Sequence, residues 1–110
     1  MSKGYKCIFT VVNSGFAEEA MEAAKACGAR GGTILHARGT ISKEAEKTFN
    51  ITIQPDKEIV MILAKDEQID GILRGLYHAV GTSTKAQGIV FAIPVDESAG
   101  LDSSQAHREK

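Results

Sequence analysis

Two short segments of the sequence carry residue types that suit the binding of a small anion. Arg38 and Gly39 stand together where a predicted strand gives way to a long polar segment. An arginine brings a fixed charge and a glycine exposes bare backbone, so this pair suits a phosphate group. Residues 81–88, GTSTKAQG, combine two glycines, three hydroxyl side chains and Lys85. That composition suits an anion-binding loop, and it is also that of an ordinary solvated loop.

A third glycine-rich segment, residues 28–32, lacks the context of a nucleotide-binding glycine loop. Such loops follow a strand and open a helix, whereas this segment follows a predicted helix and precedes a strand. It matches neither the Walker pattern nor the dinucleotide-binding fingerprint. We therefore interpret Gly28 as a helix stop and Gly31–Gly32 as a tight turn.

The sequence offers little catalytic chemistry. His36 and His78 each stand without a neighbouring metal ligand, and Cys7 and Cys27 are too few for a zinc site or a disulfide scaffold. No serine–histidine–aspartate arrangement and no carboxylate pair in an apolar context is visible in the sequence. We predict no catalytic residue, no metal site and no covalent cofactor, and we expect that the protein is not an enzyme.

Hydrophobic patterning predicts four strands and two helices that would position these segments. Ser14 is expected to cap the first helix and Asp66 the second, while Gly28 and Gly81 end them. The alternating run at 49–53 suggests a continued ribbon. The predicted strands cover residues 5–12, 32–38, 57–64 and 89–95, and the predicted helices cover 16–27 and the stretch from Asp66 to Val80.

The order β-α-β-β-α-β predicts an α+β, ferredoxin-like domain in which a four-stranded antiparallel sheet carries two helices on one face. The strands are apolar almost throughout, so both faces of the sheet should be buried. One domain of this size cannot cover both faces, and we therefore predict a homo-oligomer. The domain is assigned to residues 1–95, followed by a polar C-terminal tail at 96–110.

Composition and net charge argue against nucleic acid and anionic lipid as the main partners of this protein. The chain has 110 residues, 43% of them hydrophobic, and a formal net charge of −1. Proteins that act mainly on nucleic acid or anionic lipid carry a basic excess, so neither partner is expected. No apolar run approaches the roughly 20 residues of a membrane span, and the N-terminus lacks a signal-peptide pattern. We expect a soluble cytoplasmic protein without direct membrane insertion.

The glycine-rich segment, the polar loop and the last strand together resemble one known family. Residues 28–33, GARGGT, lead into a strand and then Gly39, and a glycine-bearing polar loop precedes IVFAIPV at 89–95. In this order they are similar to the PII signal-transduction family, over most of residues 5–95. The resemblance implies a long T-loop at about 40–56 and a B-loop at about 81–88.

The resemblance implies a homotrimer whose sheets pack into a central barrel, with an adenine nucleotide in each of three clefts between subunits. Thr33 would lie near the adenine or ribose, and Leu63 along the base. Arg38 and Gly39, at the base of the T-loop, would approach the phosphates. The B-loop would hold phosphate through its backbone donors at Lys85, Ala86, Gln87 and Gly88.

The resemblance also implies a target protein that docks on the T-loop, and family members often regulate membrane transporters. A transporter is therefore one class of target to expect. Within the T-loop, the charged run is the predicted partner-binding segment. It comprises Ser42, Lys43, Glu44, Glu46 and Lys47.

Three departures point to a PII-like branch rather than a nitrogen regulator. Ile89 stands where the regulators have a lysine, the chain lacks their arginine pair after the last strand, and residues 40–56 contain no tyrosine. With fewer cations, ADP, AMP or another small anion is as good a candidate effector as ATP. Two alternatives stay open: a ligand-free or metal-binding trimeric interaction module of the copper-tolerance type, and a weak nucleotide hydrolase whose base would be His36, Glu44 or Glu46.

Overall fold

A computed structural model describes residues 4–40, 44, 47 and 55–101 of the chain. The predicted ferredoxin-like order is confirmed, and the predicted ribbon at 49–53 lies outside the described residues. The elements are β1 (Tyr5–Asn13), α1 (Ala17–Ala26), β2 (Thr33–Arg38), β3 (Asp56–Lys65), a single 3-10 turn (Asp66–Gln68), α2 (Ile69–Val80) and β4 (Ile89–Val95).

The four strands form one antiparallel sheet in the order β2-β3-β1-β4. In the middle of the sheet, Phe9 pairs with Met61 on one side and with Phe91 on the other. In this topology β1 and β2 end where β3 and β4 begin. One end of the sheet therefore gathers Asn13, Arg38 and the loop at 81–88, which are far apart in sequence.

Both helices cover the same face of the sheet, as predicted. Alternate strand residues such as Ile8, Val12, Val60 and Ile62 point toward the helices and are fully buried. The matching helical positions lie at the 3.6-residue spacing of an amphipathic helix, so one apolar stripe from each helix completes the core. Those helical positions are Ala17, Ala20, Met21 and Ala24 on α1 and Ile69, Ile72, Leu76 and Val80 on α2.

The opposite face of the sheet is apolar and open in the single chain. Phe9 and Phe91 stack there with ring centroids 5.4 Å apart. Large hydrophobic side chains continue the surface on the neighbouring strands, and a contiguous apolar face of this kind is characteristic of an interaction surface. The exposed members are Leu35, Leu63, Ile89, Phe91 and Ile93.

The predicted cap at Ser14 is wrong. Phe16 occupies the N-cap position of α1 and makes no side-chain capping bond. Glu58 on β3 takes over that role, because its Oε1 accepts hydrogen bonds from the N–H groups of Gly15 (2.7 Å) and Ala17 (3.4 Å). A neighbouring strand, rather than a local serine, satisfies the free amides at the start of this helix.

The predicted cap at Asp66 is also wrong, because Asp66 begins a 3-10 turn instead. The following α-helix starts at Ile69, and its N-cap Gln68 makes no side-chain capping bond. Gln68 Oε1 accepts the N–H of Lys65 at 3.3 Å and holds the tight turn closed. The helix therefore begins about three residues later than the sequence pattern suggests.

The end of α1 agrees with the interpretation of Gly28 as a helix stop. Gly28 has φ +108°, a conformation that favours glycine. Its N–H donates to Lys25 O and the next N–H, of Ala29, donates to Ala24 O, both at 3.0 Å. This pair of bonds is the Schellman motif, which satisfies the last carbonyls of the helix.

Candidate functional site

The polar loop between α2 and β4 consists of residues 81–88 and folds as two successive turns. Thr84 N donates to Gly81 O at 3.0 Å, and Gln87 N donates to Thr84 O at the same distance. Thr84 Oγ1 adds a 2.8 Å bond to Gly81 O. Gly88 N donates to Val80 O at 2.7 Å and brings the two ends of the loop together.

The turns decide which backbone amides are free to hold an anion. In a β-turn the N–H groups of the two central residues stay unbonded. Within the described residues, the amides of Thr82, Ser83, Lys85 and Ala86 accordingly donate to no other group. Thr82, Ser83 and Lys85 are exposed, whereas Ala86 is only 1% exposed.

The predicted B-loop donors differ in whether their N–H groups are already bonded. Those of Gln87 and Gly88 bond within the loop, to Thr84 O and Val80 O. Those of Lys85 and Ala86 do not, and neither do the exposed amides of Thr82 and Ser83, which the sequence analysis did not select. The role of Lys85, Ala86, Gln87 and Gly88 in holding a phosphate stays a prediction.

A buried asparagine joins this loop to the sheet. Asn13, at the end of β1, is 6% exposed. Its N–H donates to Ala86 O at 2.9 Å, and its side-chain Nδ2 donates to Lys85 O at 3.1 Å and to Gln87 Oε1 at 3.4 Å. The loop is thereby fixed on the end of the sheet.

Lys57 connects the same asparagine to the base of the predicted T-loop. Its Nζ donates to Asn13 Oδ1 at 2.6 Å. Its aliphatic chain passes beside Gly39, where an added Cβ would lie 2.9 Å from Lys57 Cε. Gly39 N in turn donates to Pro55 O at 2.8 Å. Lys57 thus lies beside Gly39 and is hydrogen-bonded to the asparagine that holds the polar loop.

Arg38 and Lys85 supply positive charge at this end. Arg38 lies opposite Asp56 in the backbone pairing of β2 with β3, at the edge of the sheet. Strand alternation places its side chain on the helix-covered face. Lys85 is exposed at the tip of the loop. Among the described residues, neither cation forms a salt bridge.

The other half of the predicted site lies at the opposite end of the sheet. Thr33 and Leu63 line a cavity of about 330 Å³ beside the glycine-rich turn. Leu101, from the segment after β4, forms part of its wall, and Arg30 and Lys65 bring positive charge. The full lining is Tyr5, Ala29, Arg30, Gly31, Gly32, Thr33, Met61, Leu63, Ala64, Lys65, Gln68 and Leu101.

The two halves are far apart within one chain. Thr33 and Arg38 are the two ends of β2, a separation of about 17 Å at the usual rise per strand residue. The polar loop is held by β1, a further two strand spacings away, so Thr33 and Lys85 are separated by about 20 Å. This chain alone does not bring Thr33 and Leu63 together with the loop.

The sequence profile of the family described as nitrogen regulatory protein P-II matches residues 5–103. The chain belongs to the PII family. Many chains of solved structures are similar to this PII protein, and two of them illustrate the match. At 17% and 15% identity they show the fold alone. Among curated proteins, none matches it significantly by sequence.

The first similar structure is Arabidopsis thaliana PII bound to citrate, with a TM-score of 0.67 and 17% identity, over 91% of this chain and 82% of that one. The second is CPII, a nitrogen regulatory PII-like protein from Thiomonas intermedia K12, bound to ADP, AMP and bicarbonate. It has a TM-score of 0.65 and 15% identity, over 88% of this chain and 96% of that one.

The predicted partner-binding segment of this PII protein is only partly described. Glu44 and Lys47 are helical and exposed. Ser42, Lys43 and Glu46 lie outside the described residues. The structure therefore leaves the role of this segment as a prediction.

Burial raises the pKa of the Cys7 thiol, which lies on the open face of the sheet. His36 Nδ1 lies 4.0 Å from Glu58 Oε2, and its side chain is 87% exposed. Within residues 4–40 and 55–101, no three metal-ligating side chains converge. No described helix is both long and apolar enough to cross a membrane.

The sequence analysis did not select Asn13, Lys57 and Arg30, which the structure of this PII protein places beside the predicted site residues. The first two act through contacts more than 40 positions away in sequence. Arg30 stood inside a segment interpreted as a turn, and the cavity beside that turn depends on the pairing of β2 with β3. The sequence signal that could have identified Arg30 was its basic side chain within a glycine-rich turn.

Proposed function

We propose that this PII protein is a cytoplasmic, trimeric, non-enzymatic sensor of an adenine nucleotide or a related small anion. The ligand binds in the cleft between subunits and regulates a target protein through residues 40–56. The observation that carries the proposal is the position of the two half-sites, Thr33 with Leu63 and Arg38 with Lys85, at opposite ends of one sheet.

Two copies of the chain are needed to complete such a site. The separation of about 20 Å between Thr33 and Lys85 places the two half-sites at opposite ends of one sheet. A nucleotide whose base lies in the cavity at Thr33 therefore meets the polar loop of a neighbouring copy. The proposed site is an intersubunit cleft for this geometric reason.

The open sheet face supports an assembly of several copies. Leu35, Ile89 and Phe91 are large and apolar, and they stay exposed in the single chain. Burying apolar area of this kind contributes about 25 cal/mol per Å², which favours association. Three such faces packed around an axis leave no sheet face in water, and three clefts result.

The ligand class follows from the charge and the free donors at the two ends. Exposed amides at 82, 83 and 85 accompany Lys85 in the loop, and Arg30 and Lys65 line the cavity. Each of these groups favours an anion. Citrate in the Arabidopsis protein, and ADP, AMP and bicarbonate in the Thiomonas protein, belong to the same chemical class.

A binding role suits the site better than catalysis. Glu58 is the described carboxylate next to a histidine, but its Oε1 is occupied by the amides of Gly15 and Ala17. His36 itself is almost fully exposed. A general base requires a fixed position beside a nucleophile, and this pair has none.

The target protein is proposed to dock on residues 40–56, with a membrane transporter as one class of target. These residues follow directly from Gly39, which rests on Lys57 and thereby on the loop that would hold the ligand. A ligand regulates docking only to the extent that it binds one state of this region better than another.

The decisive experiment combines native mass spectrometry with a thermal-shift screen of ATP, ADP, AMP, bicarbonate and divalent metals. The proposal expects a trimer that is stabilised by at least one nucleotide, with up to three nucleotides per trimer. A trimer stabilised by metals alone would favour the copper-tolerance type of module. Release of ADP or AMP from ATP during incubation would instead favour a hydrolase.

A further inference from the structure

Asn13 lies where the sheet, the polar loop and Lys57 meet, and the motifs in the sequence assign it no role. We propose that Asn13 is a positioning residue for anion binding, because it turns loop carbonyl groups away from the ligand. This inference rests on the proposed function, since it explains how the loop at 81–88 favours a phosphate.

The two functional groups of Asn13 hold consecutive carbonyls of the loop. Its side-chain Nδ2 donates to Lys85 O, and its main-chain N–H donates to Ala86 O. Asn13 is 6% exposed, so these bonds are shielded from competition with water. Both carbonyl dipoles at the tip of the loop therefore point inward, toward the sheet.

The direction of these carbonyls matters for an anion. A carbonyl oxygen on the ligand side of the loop would repel a phosphate. Because the carbonyls of Lys85 and Ala86 are both held by Asn13, neither is directed at a ligand that approaches the exposed amides of Thr82, Ser83 and Lys85.

Lys57 fixes which way the asparagine amide is oriented. An ammonium group only donates hydrogen bonds, so the atom 2.6 Å from Lys57 Nζ must be the oxygen Oδ1. The amide nitrogen Nδ2 is then directed to Lys85 O and Gln87 Oε1. Rotating the amide would place two donors against each other, and the lysine thereby excludes the inverted orientation.

The backbone of the loop contains one strained residue, Gln87. Gln87 has φ +49°, which side chains other than glycine adopt at a cost. It is the residue whose side chain also accepts from Asn13 Nδ2. The asparagine bonds thus help to hold a strained residue immediately after the two oriented peptide units.

The test compares ADP with adenosine, which differ only in the phosphates. Calorimetry gives the ADP affinity and ligand-detected NMR gives the adenosine affinity, for the wild type, Asn13→Ala and Asn13→Leu. Asn13→Leu keeps a similar volume, loses the Nδ2 donor and adds no charge beside the loop, so it avoids both the cavity of the alanine variant and an electrostatic effect on ADP. Thr10→Val, on the same strand but inside the core, is the matched control.

Both Asn13 variants are expected to bind ADP about tenfold more weakly, the scale of one or two hydrogen bonds, with adenosine affinity unchanged. Thr10→Val should change neither affinity. Unchanged ADP affinity, or an equal loss for ADP and adenosine, would overturn the positioning role alone. A wild type that binds neither compound would overturn the proposed function and this inference with it.

Discussion

Glu58 Oε1 accepts a 2.7 Å hydrogen bond from the N–H of Gly15 and so caps α1 from a strand 43 residues further along the chain. The cap is a carboxylate, which also interacts favourably with the positive end of the helix dipole. Because the donor and the acceptor belong to different elements, the start of α1 is complete only when β3 is in place. Helix and sheet formation are therefore coupled at this position.

Replacing Glu58 tests this long-range cap. We expect Glu58→Ala to lower the free energy of unfolding by about 1–2 kcal/mol, because two amides lose their acceptor. Glu58→Gln keeps an acceptor and should cost about 0.5 kcal/mol through the lost charge. Urea unfolding at one fixed protein concentration measures both. Glu22→Ala, on the exposed side of α1, is the control, and an equal loss there would contradict the cap.

Thr10 is a buried hydroxyl that the structure leaves unbonded. The residue is fully buried, and within the described part of the chain its Oγ1 has no hydrogen-bond partner. Thr10→Val replaces the hydroxyl by a methyl of similar size, and we expect stabilisation of about 1 kcal/mol. Thr10→Ser keeps the hydroxyl, removes the methyl and should destabilise by about 1 kcal/mol. Thermal unfolding measures the stability of both variants. A Thr10→Val protein less stable than Thr10→Ser would contradict an unbonded hydroxyl at this position.

Arg38 and Lys85 are expected to supply charge to the ligand without supporting the fold. Arg38→Ala and Lys85→Ala should each weaken ADP binding about tenfold, since a charged hydrogen bond contributes on that scale. The salt dependence of binding should fall at the same time, because part of the affinity is electrostatic. Calorimetry at two salt concentrations measures the affinity and its salt dependence. Arg74→Ala, which removes an exposed arginine of α2, is the control. Unchanged affinity in both variants would remove the proposed site.

Ile93 and Tyr77 form a pair for testing the assembly. They are 45% and 57% exposed in the single chain, but Ile93 lies on the open sheet face and Tyr77 on α2. Ile93→Lys should disrupt the proposed trimer, because a charge would be buried among apolar side chains. Tyr77→Lys should leave it intact. Analytical ultracentrifugation distinguishes the outcomes, and two variants that behave alike would contradict assembly through the sheet face.

The two cysteines are expected to differ in reactivity. Burial raises the pKa of Cys7, so its reactive thiolate forms only at higher pH than for an unburied thiol. Cys27 is exposed at the end of α1. Iodoacetamide should therefore label Cys27 first at pH 8, and labelling of Cys7 should rise steeply above it. Peptide mass spectrometry over pH 7–9 gives both rates; faster labelling of Cys7 would show that its face is not covered.

The fold could be predicted from the sequence, because the spacing of hydrophobic residues differs between strands and helices. The last strand, 89–95, was predicted with the observed bounds, and Gly28 was identified as the stop of α1. The first residues of the helices could not be predicted in the same way. Local capping residues were visible at Ser14 and Asp66, but the actual acceptor for α1 is Glu58, which only the pairing of strands brings near.

The site was accessible in part for a similar reason. Composition indicated Arg38, Gly39 and the loop at 81–88, because charge, hydroxyls and glycines are local properties. Which amides of the loop remain free depends on its two turns, and which way its carbonyls point depends on Asn13. The latter contact spans 72 positions, and no local pattern encodes it.

The bond from Gly88 N to Val80 O closes the loop at its base, where the backbone comes so near that any side chain at 88 would collide with Val80 O. The end of α2 and the start of β4 are thus joined whatever the residues between them. Seven positions, 81–87, lie between the two bonded residues, and among them Gly81 is also restricted, because a Cβ there would collide with Tyr77 O. Ligand preference can therefore diverge between relatives through residues 82–87 while the two glycines keep the scaffold.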